Sequence, residues 1–213
     1  MKPAYWDDAA RALARSDRVL RRLIRKYPGI HLKRRSDPFT TLARAIVGQQ
    51  ISVAAADAIW KRFVAASGAA PGRAFPRLPS VNVAALASSV LRQCGLSQRK
   101  AEYLTDLAAH FASGRLDPKD WKKLDDEALI AALVDVKGIG RWTAEMFLIF
   151  QLGRLDVWPV DDFGVRKGFG RIQGMNPAPT ARELEPLGER YRPYRSVAAW
   201  YCWRAVDTVL PQG

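Results

Sequence analysis

The sequence has little cysteine, little histidine and no long apolar run. Its two cysteines, Cys94 and Cys202, exclude a disulfide scaffold, and they exclude a four-cysteine zinc site or iron–sulfur cluster built from this chain alone. The two histidines, His31 and His110, lie far apart in the sequence and lack the spacing of metal ligands, so we expect no metal held by side chains. No apolar run reaches the ~18 residues that a membrane span needs, and the N-terminus lacks the apolar segment of a secretory signal. These absences favour a cytoplasmic, intracellular protein that does not enter a membrane.

The sequence is rich in positive charge. Its 213 residues include 34 Lys and Arg against 21 Asp and Glu, a formal net charge of +13. Such an excess favours a polyanionic partner, most commonly nucleic acid, although a solvated basic surface without a partner is the alternative. Hydrophobic residues make up 48% of the chain, which is a globular composition. The length suits one large domain or two small, intimately packed ones.

Apolar residues recur at helical spacing along almost the whole chain, with no convincing strand alternation. The pattern predicts an all-α fold of about ten helices. It predicts one helix across residues 5–26, a short one at 83–91 and a last one at about 196–209. A cap residue followed by proline at 36–38 predicts a helix start, and Ser52 is placed to cap the next helix.

The segment Leu133–Ala144 carries the most specific motif of the sequence. Helical periodicity runs into Gly138-Ile139-Gly140 and resumes at once, so two glycines allow a tight turn with close backbone approach. The free N–H groups at the start of the second helix would form an anion site that suits a DNA phosphate. A plain hairpin of two helices with a glycine turn is the alternative.

Two adjacent acids follow about 20 residues later, in the segment Trp158–Lys167. Asp161 is placed to cap the next helix, which would put Asp162 in its first turn. Helix capping alone would explain the pair. A carboxylate facing DNA lowers the affinity for phosphate, however, so its presence near such a hairpin favours a chemical role.

Together these two segments resemble the signature of the helix-hairpin-helix DNA glycosylases, the HhH-GPD superfamily. The segments that show this resemblance are LVDVKGIGRWTAEM and WPVDDFGVRK. Three further segments resemble the 3-methyladenine DNA glycosylase II (AlkA-like) branch, namely DPFTTLARAIVGQQIS, LRQCGLSQRKAEYL and RPYRSVAAWYCWRAVD. The resemblance covers roughly residues 36–210 and matches the short form, which lacks the N-terminal mixed domain of longer members.

The resemblance implies one glycosylase domain over residues 1–213. In it the N- and C-terminal helices pack together around a central helical subdomain at about 36–150. The fold would consist of two packed helical subdomains, with the active-site cleft between them.

The resemblance also assigns site residues. Asp162 matches the catalytic aspartate, with Asp161 as runner-up. Trp142 and Trp203 match aromatic residues of the alkylbase pocket, and Met146 stands where the family often has an aromatic residue. For the tryptophans, ordinary core packing is the alternative.

The remaining matches are DNA contacts. Gln50 falls where the branch has the side chain that wedges into the gap left by the flipped base. The residues expected to contact DNA are Gln49, Gln50, Ile51, Ser52, Lys137, Gly138, Ile139, Gly140, Arg141, Thr143, Arg166 and Arg195.

The implied function is base-excision repair. The enzyme would bind double-stranded DNA, flip out an alkylated purine of the 3-methyladenine or 7-methylguanine type, and hydrolyse the N-glycosidic bond to leave an abasic site. Asp162 would stabilise the oxocarbenium-like sugar while water attacks. Trp142 stands where the endonuclease III-like branch has its lyase lysine, which favours a monofunctional enzyme. A non-catalytic DNA-binding protein and a glycosylase/lyase for oxidised bases are the alternatives.

No cofactor is expected to be required, and no iron–sulfur cluster. A structural Na⁺ or K⁺ at the hairpin carbonyls near Val136 and Ile139 is a family expectation. The protein is expected to be a monomer, and nucleoid-associated if bacterial.

Overall fold

A computed structural model describes residues 2–33, 37–69 and 77–206. Every regular element in these residues is helical, which confirms the all-α prediction. The α-helices are α1 (Trp6–Ser16), α2 (Arg18–Lys26), α3 (Pro38–Gly48), α4 (Val53–Ala66), α5 (Ser80–Ala85), α6 (Ser88–Gln93), α7 (Gln98–Ala112), α8 (Asp126–Val134), α9 (Arg141–Phe147), α10 (Phe163–Gln173), α11 (Ala181–Leu187) and α12 (Arg195–Ala205). A π-helical turn, Leu148–Leu152, continues α9, and a 3₁₀ turn, Glu189–Tyr191, precedes α12.

The described residues hold twelve α-helices where we expected about ten, because two predicted helices are each divided. The segment 5–26 breaks at Asp17, whose extended backbone lets its carboxylate cap α2 through the N–H groups of Val19 and Leu20. The segment around 83–91 breaks at Leu86 and Ala87, which are both extended. Apolar periodicity continues across a break of one or two residues, so the pattern did not reveal either one.

The predicted helix starts are confirmed. Asp37 accepts a hydrogen bond from the N–H of Thr40 at 2.8 Å, with Pro38 in the first turn of α3. Ser52 caps α4 by accepting from the N–H of Ala55. The end of the predicted last helix, residues 207–209, lies outside the described residues.

The chain forms two compact units, which we name for their places in the sequence. The terminal unit comprises Met1–Arg35 and Glu145–Gln212, and the middle unit comprises Ser36–Ala144. The division falls inside α9.

In the terminal unit, α10 packs along α12, and α1 and α2 pack against α12. Trp6 lies edge-on to Trp200 in this core. In the same unit, the buried carboxylate of Asp17 accepts hydrogen bonds from Arg190 at 2.6 Å and from Tyr191 at 3.0 Å. These bonds tie the N-terminal helices to the segment before α12.

In the middle unit, α7 is the shared partner of α3, α5 and α6. Its apolar stripe, which includes Leu104 and Leu107, is fully buried. Phe111, near its end, meets Phe39 of α3 and Trp121 edge-on. The middle unit is therefore organised around α7.

None of the helices within the described ranges combines the length and the apolar character that crossing a bilayer requires.

Candidate active site

Asp162 is the N-cap of α10. Its carboxylate oxygen Oδ1 accepts a hydrogen bond from the N–H of Val165 at 2.7 Å, and its side chain is buried, with the residue only 7% exposed. The expectation that Asp161 caps this helix is wrong. A turn closed by the bond from the Asp162 N–H to the Pro159 carbonyl leaves Asp161 exposed, one residue before the cap. The extended backbone at Asp162 is the conformation that an N-cap requires.

Trp203 of α12 holds the same carboxylate. Its indole N–H donates to Asp162 Oδ1 at 2.8 Å, and the residue is only 1% exposed. Its ring stacks on Phe150, with 5.5 Å between ring centroids. The two expected site residues Asp162 and Trp203 are therefore in direct contact, and Trp203 acts on the carboxylate as a donor as well as filling space.

Two glycines of α10 allow that contact. A Cβ atom on Gly164 would lie 2.7 Å from Cδ1 of Trp203, and one on Gly168 would lie 2.0 Å from the backbone oxygen of Cys202. Real side chains do not approach this closely, so both positions need glycine for α10 and α12 to pack at this distance. This pair was not predicted from the sequence, although its spacing of four residues in a predicted helix was a signal for close helix packing.

Polar and aromatic residues follow Asp162 along α10. Phe163, the next residue, is 68% exposed, and Nζ of Lys167 lies 5.9 Å above the centre of its ring. Arg166, one turn after Asp162, is half-buried, and its Nε atom is buried with no hydrogen-bond partner. Met146, at the end of α9, is buried. Phe163 was not predicted as a site residue, although it is an exposed aromatic residue next to the candidate catalytic carboxylate.

The predicted hairpin lies between α8 and α9. The N–H of Ile139 donates to the carbonyl of Val136 at 3.1 Å, which closes the turn. Gly138 has φ of +82°, and a Cβ on it would lie 2.1 Å from Cδ2 of Tyr103. A Cβ on Gly140 would meet no atom within 4 Å. The first glycine is required by the backbone and by Tyr103, whereas the second leaves open space.

The residues that follow the hairpin differ in their surroundings. Trp142 is 42% exposed, unlike Trp203. Arg141 forms two hydrogen bonds to the carboxylate of Glu127, at 2.9 and 2.5 Å. Thr143 is half-buried, and Lys137 within the turn is exposed.

The segment between α3 and α4, Gln49–Ser52, contains the expected wedge residue, and we call it the wedge segment. Gln50 is exposed and has φ of +56°, the one left-handed backbone among the non-glycine residues that the structure describes. Ile51 and Ser52 are exposed beside it. Gln49, in contrast, is half-buried, and its Nε2 donates to the carbonyl of Gly138 at 2.8 Å. The structure therefore joins the wedge segment to the hairpin.

Arg195, the first residue of α12, is engaged within the terminal unit. Its guanidinium bonds to both carboxylate oxygens and to the backbone carbonyl of Asp156, at 2.8 to 3.1 Å. A phosphate would have to share this group with Asp156.

Over the residues that the structure describes, no group of three or more His, Cys, Asp or Glu side chains is arranged to hold a metal ion. His110 is buried, with its ring nitrogens facing the backbone oxygen of Asp106 and the carboxylate of Asp135. Both cysteines are buried thiols.

Comparison with known proteins connects this geometry to a family. The family model described as HhH-GPD superfamily base excision DNA repair protein matches residues 43–193. DNA-3-methyladenine glycosylase 1 of Schizosaccharomyces pombe is 35% identical over 184 residues, which are 86% of this chain and 78% of that protein.

Two solved structures have the same fold. The crystal structure of a DNA-3-methyladenine glycosidase from Bacillus halodurans superposes with a TM-score of 0.84 at 33% identity, covering 94% of this chain and 89% of that one. The 3-methyladenine DNA glycosylase Mag1 of Schizosaccharomyces pombe, in complex with abasic DNA, superposes with a TM-score of 0.77 at 30% identity, covering 97% and 99%. The resemblance found in the sequence is confirmed, and this chain belongs to the HhH-GPD superfamily of base excision DNA repair proteins.

Proposed function

We propose that this chain is a monofunctional DNA glycosylase that excises alkylated purines of the 3-methyladenine or 7-methylguanine type. The observation that carries the proposal is the buried carboxylate of Asp162, which is fixed by the N–H groups of Val165 and Trp203 in a chain of this family. The similar proteins named above are 3-methyladenine glycosylases, which supports the substrate class.

Asp162 would act on the sugar of the extruded nucleotide. Cleavage of an N-glycosidic bond develops positive charge on the sugar, as in other glycosidic hydrolyses. A buried carboxylate held in place before the reaction stabilises that charge more than one in water, because the surrounding dielectric is low and no reorganisation is needed. The same carboxylate can orient the attacking water. Asp161 is exposed and lacks these contacts, which supports Asp162 over its neighbour.

The leaving base would be recognised by aromatic faces. Alkylation at a ring nitrogen makes the purine cationic, and a cation is attracted to an indole face by about 0.5–2 kcal/mol. The ring of Phe163, next to Asp162 in the chain, is 68% exposed and would offer such a face. Trp142 stays a candidate on the resemblance of the sequence alone. For Trp203 we propose a different role, namely orienting the Asp162 carboxylate through its indole N–H. Met146 would add an apolar, polarizable wall.

DNA would be held at the hairpin and the wedge segment. The open space at Gly140 leaves the backbone approachable by a phosphate, and Lys137 and Thr143 flank it. Gln50 and Ile51 would fill the gap that a flipped base leaves, and their exposure supports this. Arg166 would reach phosphate more readily than Arg141 or Arg195, since those two are paired with carboxylates.

We propose that Na⁺ or K⁺ binds at the hairpin carbonyls near Val136 and Ile139. A second lone pair on the Val136 carbonyl, beyond its bond to the Ile139 N–H, supports this. We also propose that residues 1–213 work as one glycosylase domain, because the family match at 43–193 includes parts of both units. Acting on DNA would place the protein in the cytoplasm, on the nucleoid if the source is bacterial.

The test is a panel of duplexes, each with one methylated, deaminated, etheno or oxidised base, assayed for free base and for abasic sites. We expect release of 3-methyladenine or 7-methylguanine without strand cleavage, and no covalent adduct after borohydride. An adduct would show a lyase for oxidised bases instead. Binding without release from any duplex would show a non-catalytic DNA-binding protein.

A further inference from the structure

One face of α7 carries four polar or aromatic residues that contact the end of α3, the residue before Gln50, or the hairpin and the residue that precedes it. They are Lys100, Tyr103, Asp106 and His110. With 3.6 residues per turn, these positions fall on a single stripe of the helix. We name this stripe the α7 brace.

The first residue of the brace holds the end of α3. Nζ of Lys100 donates to the carbonyl of Val47 at 2.8 Å and to the carbonyl of Gln49 at 2.7 Å. The last carbonyls of a helix have no partner within it, and a cation there also suits the helix dipole. The Gln49 carbonyl belongs to the peptide bond that leads into Gln50. Lys100 therefore fixes the backbone immediately before the left-handed residue of the wedge segment.

The other three residues hold the hairpin. The ring of Tyr103 occupies the space that a side chain at Gly138 would fill. A carboxylate oxygen of Asp106 accepts from the backbone N–H of Lys137 at 2.9 Å. Nε2 of His110 lies 3.0 Å from a carboxylate oxygen of Asp135, which precedes the turn. The hairpin therefore rests on α7 through three separate contacts.

The two DNA-binding segments are also bonded to each other. Nε2 of Gln49 donates to the carbonyl of Gly138 at 2.8 Å. All of these contacts lie within the middle unit.

From this arrangement we propose that the α7 brace positions the wedge segment and the hairpin as one rigid pair, and that Lys100 is a positioning residue for base extrusion. The inference rests on the proposed DNA contacts of those two segments. Extruding a base requires that the wedge enter the duplex at a fixed distance from the phosphates that the hairpin holds. Small errors in such a placement lower the rate of the step that depends on it. Lys100 touches no DNA in this scheme and acts through Gln50.

Burial also lowers the pKa of Lys100. Desolvation disfavours its charge, whereas two backbone acceptors favour it. A lysine whose only role was its positive charge would be more favourable on the surface. The two hydrogen bonds therefore explain the partly buried position of Lys100 better than its charge does.

The test variant is Lys100→Met, which keeps the side-chain stem and removes the three donors. Arg99→Met is the matched control, because Arg99 is exposed on the same turn and its loss removes the same charge. Extrusion is followed by the fluorescence of 2-aminopurine beside the lesion, and excision by single-turnover release of 7-methylguanine. We expect Lys100→Met to slow both about tenfold, with an affinity for undamaged duplex equal to that of Arg99→Met. Lys100→Arg, which keeps a cation with donors, should recover most of the rate.

A double-mutant cycle between Lys100→Met and Gln49→Met tests whether the pair acts as one unit. The two losses should be less than additive, since either break frees the wedge segment. If Lys100→Met does not fold, Lys100→Ala, which also removes the donors, takes its place in the cycle.

Gln50→Ala and Gly140→Ala separate the two ways of failing. If both leave DNA binding and extrusion unchanged, the proposed DNA contacts fail, and the brace fails with them. If either impairs them while Lys100→Met behaves like Arg99→Met, the DNA contacts stand and the brace is overturned.

Discussion

The indole N–H of Trp203 donates to Oδ1 of Asp162 at 2.8 Å, and this bond joins α12 to the N-cap residue of α10. The same oxygen accepts from the N–H of Val165. The carboxylate is therefore oriented by two helices, and its position depends on how closely they pack. A group that stabilises a transient sugar cation benefits from this, because its orientation is set before the charge develops.

Replacing Trp203 with Phe tests this relationship. The change keeps an aromatic ring against Phe150 and removes the N–H donor. A hydrogen bond to a charged group contributes about 1.5–3 kcal/mol, so we expect the single-turnover excision rate to fall by roughly tenfold or more. Affinity for abasic DNA should change little, because the loss concerns the orientation of a carboxylate and not a phosphate contact.

Trp200→Phe is the control, since Trp200 is equally buried in the same helix and its indole N–H has no hydrogen-bond partner. Equal losses in the two variants would mean that the bond to Asp162 is irrelevant to the rate.

The glycines of α10 give a second prediction. Alanine at Gly168 would push against the backbone of Cys202, and alanine at Gly164 against the ring of Trp203. Overpacking of this kind costs about 1–3 kcal/mol. We expect both variants to lower the free energy of unfolding in urea, and Gly164→Ala also to slow excision because it displaces Trp203. Gly48→Ala, where the new Cβ would meet no atom within 4 Å, is the stability control. Unchanged unfolding of Gly168→Ala would contradict the observed helix packing.

The two hairpin glycines should respond differently to alanine. Gly138→Ala places a side chain on a left-handed backbone and against Tyr103, so it should destabilise the fold by about 1 kcal/mol or more. Gly140→Ala has room in the free protein, so thermal unfolding should change little while affinity for DNA falls. The measurements are the melting temperature and the Kd for a duplex with an abasic analogue. Undiminished affinity of Gly140→Ala would show that no phosphate approaches this position.

Most of the fold could be predicted from the sequence, because periodicity and capping are local signals. Asp37 and Ser52 cap their helices as predicted. The break at Asp17 was missed because apolar periodicity continues across it, and the bonds of its carboxylate to Arg190 and Tyr191 join residues more than 170 positions apart. No local pattern reports such a contact.

The candidate site was predicted in part. The resemblance identified Asp162 and Trp203, and the structure brings them together. It did not show that Trp203 donates to Asp162, since that bond depends on the packing distance set by Gly164 and Gly168. The role of Lys100 is invisible for a similar reason, because its acceptors are backbone carbonyls that every sequence has.

The buried network at Asp17 gives a prediction for acid pH. Burial alone would raise the pKa of Asp17, but hydrogen bonds from the Leu20 N–H, Arg190 and Tyr191 outweigh it and lower that pKa overall. Because the folded-state pKa lies below the unfolded value of about 3.9, this group stabilises the fold above that pH. The contribution is lost as the pH falls through the folded-state pKa.

Asp17→Asn should therefore lower stability at neutral pH by on the order of 2 kcal/mol. It should also flatten the loss of stability toward low pH. Urea unfolding from pH 7 down to pH 3 measures both effects. A variant whose stability falls as steeply as that of the native sequence would show that another carboxylate governs acid unfolding.

Single-turnover excision of 7-methylguanine by Asp162→Asn tests the central claim most directly. Asparagine is a good N-cap and its amide oxygen can still accept from Val165 and Trp203, so the substitution removes the charge and keeps the architecture. We predict a rate at least about 100-fold lower, with affinity for abasic DNA equal or higher because a negative charge is gone. Asp161→Asn, measured beside it, should retain most of the rate. Full activity in Asp162→Asn, or a large loss confined to Asp161→Asn, would contradict the account.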